Sequence, residues 1–484
     1  MNCLITTSIP YVNGDPHIGF GMELVMADVL ARAARKQGKP VIFTAGADEH
    51  GQKIAEKAAE LKLTPKALAD QQSQKFRDLG KLLNVSNDRF IRTTDAGHMQ
   101  RAQIIWKQLE KDIYKSKYIG LYCTGCEEYV TEAVAKANNG VCPIHKKPYE
   151  RLEEENYFFK LSNYSEQIRA AIQAGTFEII PKTRRNEILQ VIVDGLDDIS
   201  ISRPSSKLDW GIPVPGDKTQ VMYVWFEAVM NYITVLGYPE HEDFKKFWPA
   251  NVQVIGKDII RFHAAIWPGM LLALGLPLPE KLYVHGFINI AGGKMSKSIG
   301  NVVSPDEIVK KYSADVFRYY ILRHIPSYED GDFSWDLLEK AYNNELGNEL
   351  GNAVQRTSAM ITQYQKGIIG EIPPQNHDMA QYWEAIEACK FDRALDHVWE
   401  QIRGLNQYIE EEKPWAIAKE GDYDHLQEIL AYQTSNLLQI AEMLEPFMPE
   451  TAAKIKHIFE EGVIRPSEGT LFPRHETKAP KAEK

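Results

Sequence analysis

The sequence predicts an α/β protein: a split Rossmann-like parallel-sheet domain, interrupted by an insertion and followed by an α-helical bundle. Three observations carry that expectation. Short apolar, β-branched runs on both sides of residues 115–217 end in Gly, Asp or His and lead into helical segments, as strands of a parallel sheet do. Between those runs the composition shifts to a charged, cysteine-bearing stretch. Beyond Tyr312 the apolar period is 3.6 almost throughout, and glycine and β-branched clusters thin out.

The elements follow in order. Leu4-Ile-Thr-Thr-Ser-Ile9 reads as the first strand, feeding a Pro/Gly-rich turn, Pro10 to Phe20, that opens a helix through Met22, Leu24, Val25 and Val29. A strand that delivers a helix mouth aims backbone N–H groups and the positive end of the helix dipole at an anion. Within this turn, His17 offers a ring donor and Gly19 leaves bare backbone for a flat ring. No G-x-G-x-x-G is present, so this is not a dinucleotide fingerprint. The next strand, Pro40 to Ala45, ends in Gly46-Ala-Asp-Glu-His-Gly51, a cluster of ionisable side chains at a strand's C-terminal end, where α/β folds bind ligands. Helical stretches are expected from about 64 and from 97 to 114. The α/β pattern resumes with Val221 to Phe226 as a strand leading into a helix over 227–236. Asn251 to Ile259 reads as another strand, and Lys281 to Gly286 as the last. Then comes Gly292-Gly-Lys-Met-Ser-Lys-Ser298, without apolar periodicity: a glycine-hinged loop whose two lysines suit a polyphosphate. Helices are expected over about 336–365, 379–412, 422–444 and 448–461.

Composition bounds the function. At 484 residues the chain has room for several domains, and 44% hydrophobic with 25% charged residues describes an ordinary globular protein. The net charge of −10 argues against a general nucleic-acid coat, so DNA is not an expected partner, while a local basic surface can still take RNA. No apolar run is long enough to span a membrane and no leader is recognisable, so a cytoplasmic protein with no membrane partner is expected. Of five cysteines, three cluster. Cys123-x-x-Cys126 and Cys142-x-x-His145 supply four soft or borderline ligands on two short knuckles, the pattern of one closed, structural Zn²⁺.

These residues resemble those of the class I aminoacyl-tRNA synthetases, and among them the methionine–tRNA ligases. His17-Ile-Gly-Phe20 is similar to the first class signature, usually written HIGH, and Lys294-Met-Ser-Lys-Ser298 matches the second letter for letter. Gly46 to Gly51, Tyr223-Val-Trp-Phe-Glu-Ala228, Gly256-Lys-Asp-Ile-Ile-Arg-Phe-His263 and the cysteine set point to methionine. One departure is Phe20, where the signature has a histidine; a phenyl ring cannot donate to phosphate.

The resemblance implies methionine activation by ATP, then transfer to the terminal ribose of initiator and elongator tRNA, with Mg²⁺ accompanying ATP. It implies that Lys297, supported by Lys294, stabilises the departing pyrophosphate, and that His17, Gly19, Phe20, Glu23, Gly256, Asp258 and His285 line the ATP site. Asp48 would hold the α-ammonium, with Arg203 paired to it. Ile9, Tyr11, Trp225, Val229, Tyr232, Phe262 and His263 would surround the thioether, whose polarisable sulfur suits aromatic faces. Asn352, Arg356 and Trp415 match anticodon readers. The implied divisions are a catalytic domain over 1–114 and 218–288, a zinc-knuckle connective insertion over 115–217, a signature-loop and stem-contact region over 289–348, an anticodon-binding bundle over 349–465 and a tail over 466–484. A monomer is expected. Taken without the resemblance, the residues leave open a small-molecule nucleotidylyltransferase or a non-enzymatic RNA binder.

Removing Lys297 as Lys297→Ala is expected to slow adenylate formation, measured by pyrophosphate exchange, while methionine affinity changes little; equal losses in both would deny the lysine a transition-state role.

Overall fold

The structure, a computed structural model, describes residues 2–123, 128–130, 132–143, 146–290, 293–294, 303–374, 378–459, 462–464 and 469–474. It divides into two compact bodies: the first comprises Met1–Ala27, Ala34–Lys81 and Val85–His285, the second Asp28–Ala33, Leu82–Asn84 and Gly286–Lys484.

The first body is built on six parallel strands in the spatial order Arg89–Arg92, Val41–Ala47, Cys3–Thr7, Val252–Gly256, Lys281–His285 and Glu178–Ile180. The two middle strands are almost 250 positions apart in sequence, yet Ile5 lies opposite Val252 and Thr7 opposite Val254. Central strands covered on both faces need apolar side chains in both directions, and Cys3–Thr7 is buried at every residue. The stretch expected as an insertion, 115–217, contributes the edge strand Glu178–Ile180. It also carries an antiparallel sheet in the order Glu128–Val130, Ile113–Cys123, Glu150–Phe159, Ile199–Ser200.

Two local expectations are corrected. Val221 to Phe226 is not one strand: pairing in Asp217–Met222 stops at Met222, and Val224–Ala228 is already helical. Val224, Phe226, Glu227 and Ala228 are all buried, and burial on every side erases the helical period that sequence reading relies on. The strand expected over 251–259 ends at Gly256 and becomes a 3₁₀ turn, Lys257–Ile259.

In the second body, Gly293–Lys294, expected within an irregular loop, pairs antiparallel with Ile288–Ile290; Met295, Ser296, Lys297 and Ser298 lie outside the described residues. The long helix expected over 336–365 is continuous but changes pitch: α over Trp335–Ala341, π over Tyr342–Gly351, and α again over Asn352–Gln365. Asn406 donates to the carbonyl of Glu349 in the π segment, which also accepts from the Asn352 amide. The helix expected over 379–412 is broken into Ala380–Glu387 and Phe391–Glu412, with Cys389 at positive φ between them. Arg318 is the fully buried polar centre of this body. Its guanidinium donates to the carbonyls of Phe447, Pro446 and Leu83 and pairs with buried Asp28 at 2.8 Å.

Arg318→Met is expected to lower stability by about 3–5 kcal/mol, because it strips three buried carbonyls of a donor and leaves the buried Asp28 carboxylate with Arg32 alone. A urea denaturation midpoint unchanged from wild type would refute this.

Candidate active site

The site is assembled at the C-terminal ends of the parallel strands of the first body. After Cys3–Thr7, the Ser8 amide and hydroxyl both donate to one Glu23 oxygen, at 2.7 and 2.6 Å. The other Glu23 oxygen meets His285 Nε2 at 3.0 Å, at the end of the last central strand. Glu23 thus joins two strand ends to the first turns of the helix Ile18–Lys36. Gly256 ends the strand between them, and a Cβ there would sit 2.8 Å from Asp258 Oδ1, so the Asp258 carboxylate lies directly against this backbone.

At the mouth of that helix, the Gly19 amide donates to His17 Nδ1 at 3.1 Å. The ring proton is therefore on Nε2, the nitrogen left to donate outward. His17 stacks on Phe20 with centroids 4.3 Å apart, and Phe20 packs edge-on to Phe76 at 5.2 Å. Phe20, Thr7, Ser8, Pro10, Glu23 and Gly46 line a small hollow here. Phe20 acts by packing: it braces the His17 ring against a cluster that includes Val12, Leu68 and Phe76.

Asp48 follows the strand Val41–Ala47 and is 1% exposed. Its amide donates to Pro10 and its carbonyl accepts from Val12, so Asp48 and Tyr11 form a parallel bridge. Gly46 permits this approach, since a Cβ there would meet Ile9 Cγ2 and the Ile91 carbonyl at 2.6 Å. Trp210, unremarked in sequence, donates its indole N–H to the Glu49 carbonyl and accepts from the Gly51 amide. No periodicity flags such a residue; only the chain's return to this loop reveals it.

Beside Asp48 the aromatic side chains expected around a thioether form a connected wall. Trp225 stacks on Phe262 at 4.7 Å and Tyr11 tilts toward Trp225 at 6.3 Å. Tyr232 lies edge-on to His263, with Val229 buried nearby in sequence. Phe262–Ile266 is a π turn, a geometry that recurs at binding sites. His263 Nδ1 faces the Ile259 carbonyl at 2.9 Å and must donate to it. Nε2 is then the acceptor for the Tyr232 hydroxyl at 2.7 Å. Burial lowers the His263 pKa to about 4, keeping the ring neutral.

One expectation is corrected. Arg203 pairs with Glu154, not Asp48: its Nε and a terminal nitrogen each lie 3.2 Å from the Glu154 carboxylate, and the guanidinium sits over the Tyr122 ring. Lys207 reaches the same carboxylate at 2.9 Å. Burial works against this anion, but Arg203 and Lys207 hold the Glu154 pKa below its usual value. An arginine on the strand Ser202–Pro204 finds its carboxylate on a neighbouring strand of the insertion, a proximity that sequence spacing does not encode.

Of the expected metal ligands, Cys123 and Cys142 are described and buried, while Cys126 and His145 lie outside the described residues. The Cys142 carbonyl accepts from the Lys146 amide and the Cys142 amide donates to the Lys147 carbonyl, beside the Val141–Pro148 bridge. In the second body, Asn352 and Arg356 lie one turn apart on Asn352–Gln365. The Arg356 guanidinium sits 5.3 Å from the Trp415 ring and pairs with Glu410 at 2.6 Å.

Residues 3–152 and 135–358 match the family described as tRNA synthetases class I (M). The methionine–tRNA ligase of Caldanaerobacter subterraneus is 43% identical over 467 residues, 93% of this chain and 73% of the relative. That of Thermotoga maritima is 38% identical over 494 residues, 96% of this chain and 78% of the relative. The chain belongs to the methionine–tRNA ligase family of class I synthetases. A solved member, the Mycobacterium tuberculosis methionyl-tRNA synthetase in complex with methionyl-adenylate, superposes with a TM-score of 0.91 at 34% identity, covering 98% of this chain and all of the other. The family's first signature appears here with Phe20 at its fourth position, packed as described.

The lowered His263 pKa has a sign. The unfolded imidazole takes up a proton near pH 6.5 and the folded one only near 4, so stability is lost as pH falls through that interval, by up to about 3 kcal/mol. His263→Asn should lack this increment. The check is the urea midpoint of both proteins at pH 7 and pH 4.5; an equal acid sensitivity would contradict it.

Proposed function

We infer that this chain ligates methionine to tRNA at the expense of ATP. The carboxylate of methionine attacks the α-phosphate, a P–O bond forms, and pyrophosphate leaves; the terminal ribose hydroxyl then displaces AMP from the adenylate. The observation that supports this most is the 43% identity to a methionine–tRNA ligase across 93% of the chain, with an aromatic pocket next to Asp48 in the same body.

In this reading the chemistry needs positioning and charge stabilisation more than a protein nucleophile. Asp48 takes the α-ammonium. Trp225, Phe262, Tyr11, Ile9 and Val229 hold the thioether, whose weak acceptor ability makes shape and polarisability the main recognition terms. His17 Nε2, Gly19, Glu23, Gly256, Asp258 and His285 take the nucleotide. Lys297 and Lys294 meet the charge that develops on pyrophosphate. Mg²⁺ enters with ATP, held mostly by phosphate oxygens and water. Cys123, Cys126, Cys142 and His145 would hold one Zn²⁺, which when bound supplies folding energy to the knuckle and no step of the reaction. Elemental analysis of the purified chain, one zinc or none, decides that part. Asn352, Arg356 and Trp415 read the anticodon loop by base edges and stacking. Among the described residues no helix is long and apolar enough to cross a membrane, which is compatible with cytoplasmic translation. A monomer remains the proposed state.

The test is ATP–pyrophosphate exchange over the twenty amino acids. Methionine is expected to drive it at least tenfold better than leucine or isoleucine, roughly what pocket shape supplies. Exchange led by another amino acid, or none with methionine, overturns the reading.

A further inference from the structure

Behind the aromatic wall lies a carboxylate that the reaction does not use. Glu227 is fully buried, as are its two partners, His50 at 3% and His98 at 2% exposure. His50 Nδ1 lies 2.8 Å from one Glu227 oxygen and His98 Nε2 2.8 Å from the other. A carboxylate only accepts, so both ring nitrogens donate to it. His98 Nδ1 is held in turn by the Thr234 hydroxyl at 2.8 Å, and the His50 ring stands edge-on to Trp210 with centroids 5.4 Å apart. The burial that would raise the Glu227 pKa is outweighed by the charge and hydrogen bond of His50 and the hydrogen bond of His98, which lower it.

The positions of these groups in the chain give the cluster its meaning. His50 is two residues after Asp48. Glu227 lies midway between Trp225 and Val229, on the helix Val224–Ala228 and its continuation. His98 comes from the helix Ala96–Gln108, and Thr234 from Asn231–Thr234, which also carries Tyr232. One carboxylate therefore links three segments that are far apart in sequence. Apolar packing sets distance loosely, whereas a buried anion with two fixed donors sets it to a few tenths of an ångström, since losing either donor leaves charge in a dry interior.

We propose that Glu227, through His50 and His98, is a positioning residue for methionine: it fixes the span between Asp48, which takes the ammonium, and Trp225, Val229 and Tyr232, which take the side chain. It touches neither substrate. The inference rests on the reading of this pocket as the methionine site, and it goes beyond that reading by assigning the residues that set the pocket's length. Glu49, next in the chain, is held separately by Arg92, Ser73 and Thr94, so the loop's outer side is anchored without Glu227.

The test uses which ring nitrogen each histidine employs. An asparagine amide replaces imidazole Nδ1 and a glutamine amide replaces Nε2. H50N and H98Q keep a donor at Glu227; H50Q and H98N lose it. In ATP–pyrophosphate exchange on the whole protein, H50Q, H98N and E227Q are expected to raise the KM for methionine about tenfold or more with the KM for ATP within about twofold of wild type, and H50N and H98Q to stay within about threefold for both. Thermal melting of all five is recorded beside the kinetics. Losses that follow melting temperature and not the nitrogen replaced, an equal rise in both KM values, or an unchanged methionine KM in E227Q overturn the proposal. Failure of wild type to exchange with methionine would instead overturn the reading of the pocket, so the two failures are distinct.

Discussion

The parallel pairing of Cys3–Thr7 with Val252–Gly256 is the constraint from which the site follows. Parallel neighbours cannot be joined by a hairpin, so the chain between them must leave the sheet and return. Here it returns after almost 250 residues, and parallel pairing sets the C-terminal ends of the strands along one sheet edge. Thr7, Ala47, Gly256 and His285 all terminate there, and the loops after the first three carry Ser8, Asp48 and Asp258. The register makes the strands end together; the glycine at 46 then lets neighbouring backbone approach closely.

Buried carboxylates hold that edge in shape. Glu23 binds Ser8 and His285, Glu49 binds Arg92, and Glu227 binds two histidines. Each joins segments far apart in sequence, and each is satisfied at both oxygens or by several donors. In a dry interior such an anion is tolerated only in one geometry, so it converts approximate packing into a fixed one. The neutral His263 extends the same logic to a hydroxyl. Because its Nδ1 is committed to a carbonyl, the Tyr232 proton points at the ring, and the tyrosine presents oxygen lone pairs elsewhere.

The second body depends on a comparable device. Arg318 takes three carbonyls from two chain reversals and shares the buried Asp28 carboxylate with Arg32. Its helices otherwise form as their period dictates. The π turns from Tyr342 to Gly351 lead directly into the α-helix that carries Asn352 and Arg356 one turn apart. Arg356 already lies over Trp415, so two of the proposed base readers are mutually ordered before any RNA arrives.

The sequence by itself determined the strand-and-helix alternation, the helical character beyond Tyr312 and the family, because apolar periods and signature spacings are local properties. It also determined that Asp48 and His285 stand at strand ends and His17 at a helix mouth, since an element's end is written in the residues that stop it. Only the tertiary structure decided which groups meet. Arg203 went to Glu154, Phe20 became a brace for His17, Trp210 closed over Glu49, and Val224–Ala228 became helix instead of strand. These outcomes depend on side chains brought together by pairing across hundreds of residues. A periodicity read along the chain contains no term for such contacts.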